Sequence, residues 1–343
     1  VSEVEALREL RLSLRRLGFF RRPTLRLLSE LAIHVAVLIS GVVIVLSFAA
    51  WWMKALGLLV SAAGAMGVGT NTHTSSHSAT SNKTWVNEAL TYFGYSVILG
   101  LSATYWWDKH VVRHHSGPNM KGVDGDFDLL PWFAGTRHDV ENATGWRRLY
   151  YERYQSFVFP LAVGFTLIAQ QVAGVRHVWE SLSNVNTRRL SYWMDAASLV
   201  MHVTVWFVIP SVFVPFGSVC ALYAARSLLN SYAMFVVFAP AHMPKAAVRL
   251  RHDPKRLVDP LAHTSTTLNF RTGRLGGWLC GGLQYQIEHH LLPDISHVYY
   301  AQVSVFVQEY CRQHGLPYRS YGWGEGLRLA LLSVRTPNPL VDV

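Results

Sequence analysis

Long apolar runs separated by short polar breaks set the pattern of this chain. From about Leu31 to Trp52 the sequence is almost uninterrupted apolar, long enough at roughly 1.5 Å per residue to cross a hydrocarbon layer of roughly 30 Å. A short turn at Lys54 leads to a second run, Leu56 to about Thr70, whose glycines and alanines predict a tightly packed helical hairpin. Trp85 to Trp107 is apolar but interrupted by Asn87, Glu88 and several tyrosines and serines. It predicts an interfacial helix or a shallow hairpin. Three more apolar segments follow, at about Phe157 to Ala173, Ala196 to Phe216 and Ser218 to Ala241. The polar clusters meet on one side only if the number of crossings is even, so one of these three is expected to be re-entrant, surface-lying or merged with its neighbour. The expected fold class is an all-α integral membrane protein with about four transmembrane helices and additional interfacial helices.

The flanks differ in character. Val1 to Arg26 sets Arg8, Arg11, Arg15, Arg16, Arg21, Arg22 and Arg26 among spaced leucines, which predicts an amphipathic helix on an anionic membrane surface. Residues from His242 onward are largely polar, with a helix predicted over Tyr299 to His314 and closed by Gly315. The expected organisation is a basic N-terminal segment (1–30), a membrane domain (31–321) and a C-terminal tail (322–343).

Composition agrees with membrane insertion: 50% of the 343 residues are hydrophobic and 15% are charged, against roughly 25% charged in soluble proteins. The net charge of +10 comes from Arg and Lys outside the apolar runs, as expected of loops kept on the cytoplasmic side. No basic stripe belongs to a soluble fold, so no nucleic-acid partner is expected. Cys220, Cys280 and Cys311 are too scattered for a disulfide framework or a cysteine metal site. The long polar N-terminus carries no evident cleavable signal. Insertion into an inner membrane or the endoplasmic reticulum, with the N-terminus cytoplasmic, is the expectation.

Histidines occupy the polar breaks. His73-x3-His77 and His110-x3-His114-His115 precede Gln284 to Pro293, which reads Gln-Tyr-Gln-Ile-Glu-His-His-Leu-Leu-Pro. On a helix, Gln286, His289 and His290 fall at i, i+3 and i+4, on one face. Neutral imidazole ligates Zn, Cu, Ni and Fe. Seven histidines lie in the three clusters, more than one tetrahedral zinc takes, so the count favours two metals. A carboxylate-bridged di-iron bundle would use Glu-x-x-His pairs, and Glu288 beside His289 lacks that spacing. An all-histidine dinuclear centre fits better. His242, at the foot of an apolar run, is a candidate eighth ligand or a helix C-terminal residue, and His263 is a further possibility. His34, His138, His177, His202, His252, His297 and His314 are expected to be surface, interfacial or packed residues.

These three clusters, in this order, resemble those of the membrane fatty acid desaturases, and Gly282-Leu-Gln-Tyr-Gln-Ile-Glu-His-His-Leu-Leu-Pro293 is most similar to the front-end, acyl-lipid branch. There Gln stands for the first histidine of the third box, as Gln286 does here. The resemblance runs from about Leu31 to about Tyr321 and includes Trp106-Trp107, His114-His115-x2-Pro118-Asn119 and Thr266-Thr267-x-Asn269. It implies a cytosolic cap holding two iron ions above a kinked apolar tunnel, with His73, His77, His110, His114, His115, His242, His289 and His290 as ligands. Gln286 would lie behind the ligands or reach metal through water. Two departures stand out. The first box reads His-Thr-Ser-Ser-His where the family often has Asp after the first His and Gly before the second, and the second box has three intervening residues where this branch usually has two.

The implied activity is O2-dependent desaturation of an acyl chain carried on lipid, coenzyme A or a carrier protein. Rivals on the same scaffold are acyl hydroxylation and acetylenation; a histidine-rich metal transporter is a rival of another class. This chain contains no His-Pro-Gly-Gly haem motif, so electrons are expected from a separate ferredoxin or cytochrome b5, drawn to the basic face.

Overall fold

Hydrophobic hairpins interrupted by polar turns fold into helices almost throughout. A computed structural model describes residues 2–342. α1 (Glu3–Arg16) starts at a capping box, in which the Ser2 hydroxyl accepts from the Glu5 N–H and the Glu5 carboxylate from the Ser2 N–H. α2 (Thr24–Ser47) begins before the apolar run does. Its polar first turns stay helical through the Arg26–Glu30 ion pair (3.0 Å) and a Thr24 hydroxyl that donates to the Thr80 carbonyl (2.8 Å). Trp51 and Trp52 open α3 (Trp51–Ser76) rather than close α2.

Small residues let α2 and α3 touch backbone to backbone. A Cβ at Gly41 would collide with Ser61, at Gly57 with Gly41, and at Gly64 with Leu38, while Gly67 leaves room for the buried ring of His34. Close approach maximises dispersion contact where lipid offers no hydrophobic drive for association.

α4 (Thr84–Thr91) runs on as a π-helix, Tyr92–Leu99, and stops at Gly100, whose φ of +70° suits glycine. α5 (Ala103–Trp106) then runs on as a second π-helix, Trp107–His114. The apolar stretch from Trp85 is therefore two helices with a break between them. The expected Phe157–Ala173 segment is also broken, between a helix ending at Val163 and α6 (Thr166–Ser183). α7 (Leu190–Val203) extends to Ser211, and α8 (Phe216–His242) follows. Among the described residues, four helices are long and apolar enough to cross a membrane: Thr24–Ser47, Trp51–Ser76, Leu190–Ser211 and Phe216–His242.

The chain divides into two units. The spanning unit comprises Arg22–Asp108 and Val163–Phe235. The other takes the N-terminal segment as far as Arg21, Lys109–Ala162, and the chain from Val236 onward. It adds α9 (Pro260–Thr266), α10 (Gln286–Leu291), α11 (Tyr300–Gln313, where a helix is expected) and α12 (Trp323–Arg335). Two short parallel strand pairs, Arg249–Leu250 with Leu340–Val341 and Asn269–Arg271 with Ser320–Gly322, tie its late segments together. α1 belongs here. Its Ala6 and Leu14 are buried in one core with Val303, Val307 and Tyr310 of α11, and Arg11 pairs with both carboxylate oxygens of Asp294 (2.9 and 2.7 Å). The leucine face expected to meet lipid thus meets protein, although Val4 and Leu12 remain exposed.

Gly41→Leu should destabilise the hairpin by about 1–3 kcal/mol through overpacking, whereas Gly217→Ala, where nothing lies within 4 Å of the added carbon, should not. Thermal unfolding in detergent tests this, and equal midpoints for both variants would contradict the close-packed hairpin.

Candidate metal centre

Three elements of the second unit bring histidine rings together. His110 and His114 come from the π-helix that follows α5 and His115 from the residue directly after it, His242 from the last turn of α8, and His289 and His290 from α10. In an α-helix, residues five apart diverge by roughly 140°. A π-helix, with its i→i+5 bonds, brings them into line. Accordingly His110 Nε2 and His115 Nε2 lie 3.3 Å apart, and the His114 ring is 5.0 Å from His110 and 5.7 Å from His115.

All these rings are buried. His114, His242 and His290 each offer a ring nitrogen within 4.8 Å of the others, and His110 and His289 do so for each other. His115 stands between, its ring 4.5 Å from His289 and 4.4 Å from His290. In the spanning unit, His73 and His77 at the end of α3 are buried with ring centroids 4.9 Å apart and ring nitrogens within 4.8 Å. The Ser76 hydroxyl between them donates to the His73 carbonyl and accepts from the indole of Trp106.

A ligating imidazole needs its other nitrogen fixed. For His114 the partner is Asp124, whose Oδ2 lies 2.8 Å from Nδ1 and also accepts the Asn119 N–H (2.8 Å). Oδ1 accepts the Asp126 N–H (3.0 Å). Burial opposes charge on both groups, yet the pairing wins: it raises the His114 pKa and holds Asp124 below the usual carboxylate range. The arrangement leaves His114 Nε2 to face a metal. For His289 the partner is the Tyr300 hydroxyl, 3.1 Å from Nδ1. Burial keeps that phenol protonated far above its ordinary range. Gln286 Oε1 lies 3.2 Å from His242 Nε2, which leaves His242 Nδ1 without a hydrogen-bond partner among the described residues. His263 lies behind His290, with Nδ1 3.2 Å from its carbonyl; burial pushes this imidazole down to about 4.

Glu288 orients α10 as a whole. Fully buried, it accepts from Tyr318 and Asn269 (both 2.8 Å), and Asn269 accepts in turn from the Ile287 N–H (2.9 Å). Burial pushes its carboxyl up to about 7 despite those donors.

The donor set suits a borderline transition metal. Both ring nitrogens of His290 and Nδ1 of His242 are buried without a partner, and burial together with neighbouring imidazoles pushes His290 well below its ordinary pKa, toward the neutral ligating form. Such nitrogens are costly unless something accepts their lone pairs. Asp124, Tyr300 and Glu288 were not singled out as partners from the sequence. The signal that could have found Asp124 is the rule that a ligating histidine needs an outer acceptor, since Asp124, Asp126 and Asp128 follow the second cluster within fifteen positions.

Comparison with known proteins agrees. Residues 49–322 match the family model described as fatty acid desaturase. The chain is 30% identical over 268 residues to a Delta(8)-fatty-acid desaturase of Euglena gracilis, covering 74% of this chain and 60% of that enzyme. It is 29% identical over 287 residues to the sn-1 linoleoyl-lipid 6-desaturase of Arthrospira platensis, covering 78% and 73%. An Acyl-lipid (9-3)-desaturase of Physcomitrium patens is 25% identical over 341 residues, covering 93% and 60%. The chain thus spans about three fifths of the Euglena and Physcomitrium enzymes. With its helical membrane segments and its converging buried histidines, it belongs to the fatty acid desaturase family.

Proposed function

We propose that this protein carries out O2-dependent desaturation of a fatty acyl chain at a di-iron centre whose ligands are His73, His77, His110, His114, His115, His242, His289 and His290. The observation that carries it is the convergence of buried imidazole nitrogens from three elements, with His114 oriented by Asp124. Bound iron would supply the oxidising power that an unactivated methylene needs and that no side-chain acid or base provides. The balance is one acyl CH2–CH2, O2, two electrons and two protons to one CH=CH and two waters.

The chain's own part is to hold and to exclude. Asp124 fixes the tautomer and orientation of His114, Tyr300 holds the orientation of His289, and Glu288 with Asn269 and Tyr318 sets the pitch of α10. Burying the acyl tail contributes roughly 0.8 kcal/mol per CH2. That suffices for affinity but does not choose a carbon, so the depth and bend of an apolar tunnel must do so. The names of the Arthrospira and Physcomitrium relatives favour an acyl chain carried on lipid and a bond near its carboxyl end. The centre and the N-terminus would face the cytoplasm of an inner membrane or endoplasmic reticulum. Electrons would come from a separate acidic ferredoxin or cytochrome b5, for which exposed Arg8, Arg15 and Arg16 on α1 offer charge complementarity.

The deciding experiment is mass spectrometry of total fatty acids from cells expressing the chain, with derivatisation that locates double bonds, against His289→Ala. A new alkene that vanishes with His289 is the expected result; a hydroxylated or acetylenic product would move the chemistry to a rival on the same scaffold. Asp124→Asn should cost roughly 10–100-fold in iron affinity or turnover, read by metal analysis of the purified protein. Arg15→Glu with Arg16→Glu should raise several-fold the donor concentration giving half-maximal rate, with iron content unchanged. A donor dependence like that of the unaltered chain would move the docking surface elsewhere.

A further inference from the structure

The helix leading into the second histidine cluster starts among buried residues of the spanning unit. The first half stops at Leu99, Gly100 turns the chain, and α5 starts at Ala103. Such a break frees carbonyls on one side and amides on the other, where lipid and apolar side chains pair neither. Side chains of other helices pair them here. His202 Nδ1 donates to the Val97 carbonyl (2.8 Å), Arg226 Nη2 to Ile98 (2.8 Å) and Gln171 Nε2 to Leu99 (2.7 Å).

On the amide side the bonds converge on one carboxylate. Asp195 of α7 is fully buried. Its Oδ1 accepts from the Ser96 hydroxyl (2.6 Å) and the Ala103 N–H (3.2 Å). Its Oδ2 accepts from the Ser102 hydroxyl (2.6 Å), the Thr104 N–H (2.9 Å) and the Thr104 hydroxyl (2.6 Å). Charge follows the helix dipoles, with a guanidinium at the carbonyl end and a carboxylate at the amide end. Ordinary capping does not explain all of this. Ser102 already caps α5 by accepting the Tyr105 N–H (3.0 Å). The Ser96 hydroxyl that donates to Asp195 also accepts the Ala103 N–H (3.1 Å), so Ser96 ties the half before the break to the half after it both directly and through the carboxylate.

We propose that Asp195 is a positioning residue for the metal centre, fixing the axial rotation of the helix that carries His110, His114 and His115. The helix is continuous from Ala103 to His114, so its origin sets the bearing of every ring on it. A slip of one residue turns that face by roughly 100°, far beyond what ligation tolerates. The inference rests on those histidines being ligands, as proposed above.

The test uses the full chain in nanodiscs and reads hydrogen exchange and iron per chain. Asp195→Asn keeps the shape but puts an NH2 where an accepting oxygen stood, so at least two donors lose their partner. Exchange over residues 103–115 should rise at least tenfold while that of 24–47 stays unchanged, and iron per chain should fall by at least half. Ser96→Ala, which removes the hydroxyl shared by Asp195 and the Ala103 N–H but leaves the carboxylate in place, should speed iron loss to a chelator several-fold. It decides the matter if Asp195→Asn does not fold. Wild-type exchange and iron retention in these variants would overturn the proposal, as would faster exchange at 103–115 with iron untouched or exchange raised equally in every helix. If the unaltered protein takes up no iron, the metal-centre proposal fails instead, and exchange at 103–115 still decides whether the tie exists.

Discussion

Backbone polar groups cannot be left bare in a buried interior, and the break at Gly100 is where this protein meets that constraint most sharply. Without the break the apolar stretch from Trp85 would continue as one rod, and the second histidine cluster would be carried past any helix of ordinary length. With it, three carbonyls and two amides need partners, and His202, Arg226, Gln171 and Asp195 supply them. An arginine and an aspartate are thereby kept buried inside the spanning unit. Ionisable groups in a membrane interior are expensive and persist where they have a task. Here the task is to end one helix and begin another.

The same logic of paired polar groups governs the histidine-rich unit. His114 is held by Asp124, and Asp124 by two backbone amides; His289 is held by Tyr300. Asn119 sits at the junction, with its amide nitrogen within reach of the His242 and Thr266 carbonyls (both 3.0 Å) and its own N–H on Asp124. One loop residue therefore links the end of α8, the end of α9 and the carboxylate that holds His114. Its φ of +56° is the backbone conformation that asparagine tolerates better than most residues, which explains why the Pro118-Asn119 pair stands where it does.

Hydropathy made the spans legible because a hydrocarbon layer imposes a length that few other contexts demand, and the glycines of α2 and α3 made their hairpin legible. The histidine clusters were legible because imidazoles in polar breaks between spans are rarely ornamental. Other features were hidden for physical reasons. Asp124 reaches His114 through a loop, whose path follows no periodicity. Nothing near Asp195 in sequence marks it, since the donors that surround it lie about a hundred positions away. The start of α2 was hidden too, because Arg26 and Glu30 read as surface charge until their pairing makes them part of a helix.

The π-helix at Trp107–His114 bears on how such motifs are compared across sequences. A π turn holds one residue more than an α turn while advancing the chain by a similar distance. The three residues between His110 and His114, where the front-end branch it resembles usually has two, are wound in a π-helix that brings His110 and His115 within 3.3 Å. Spacing and helix type are then read together as a single character. An alignment that treats the longer box as a gap would record the insertion and miss the winding.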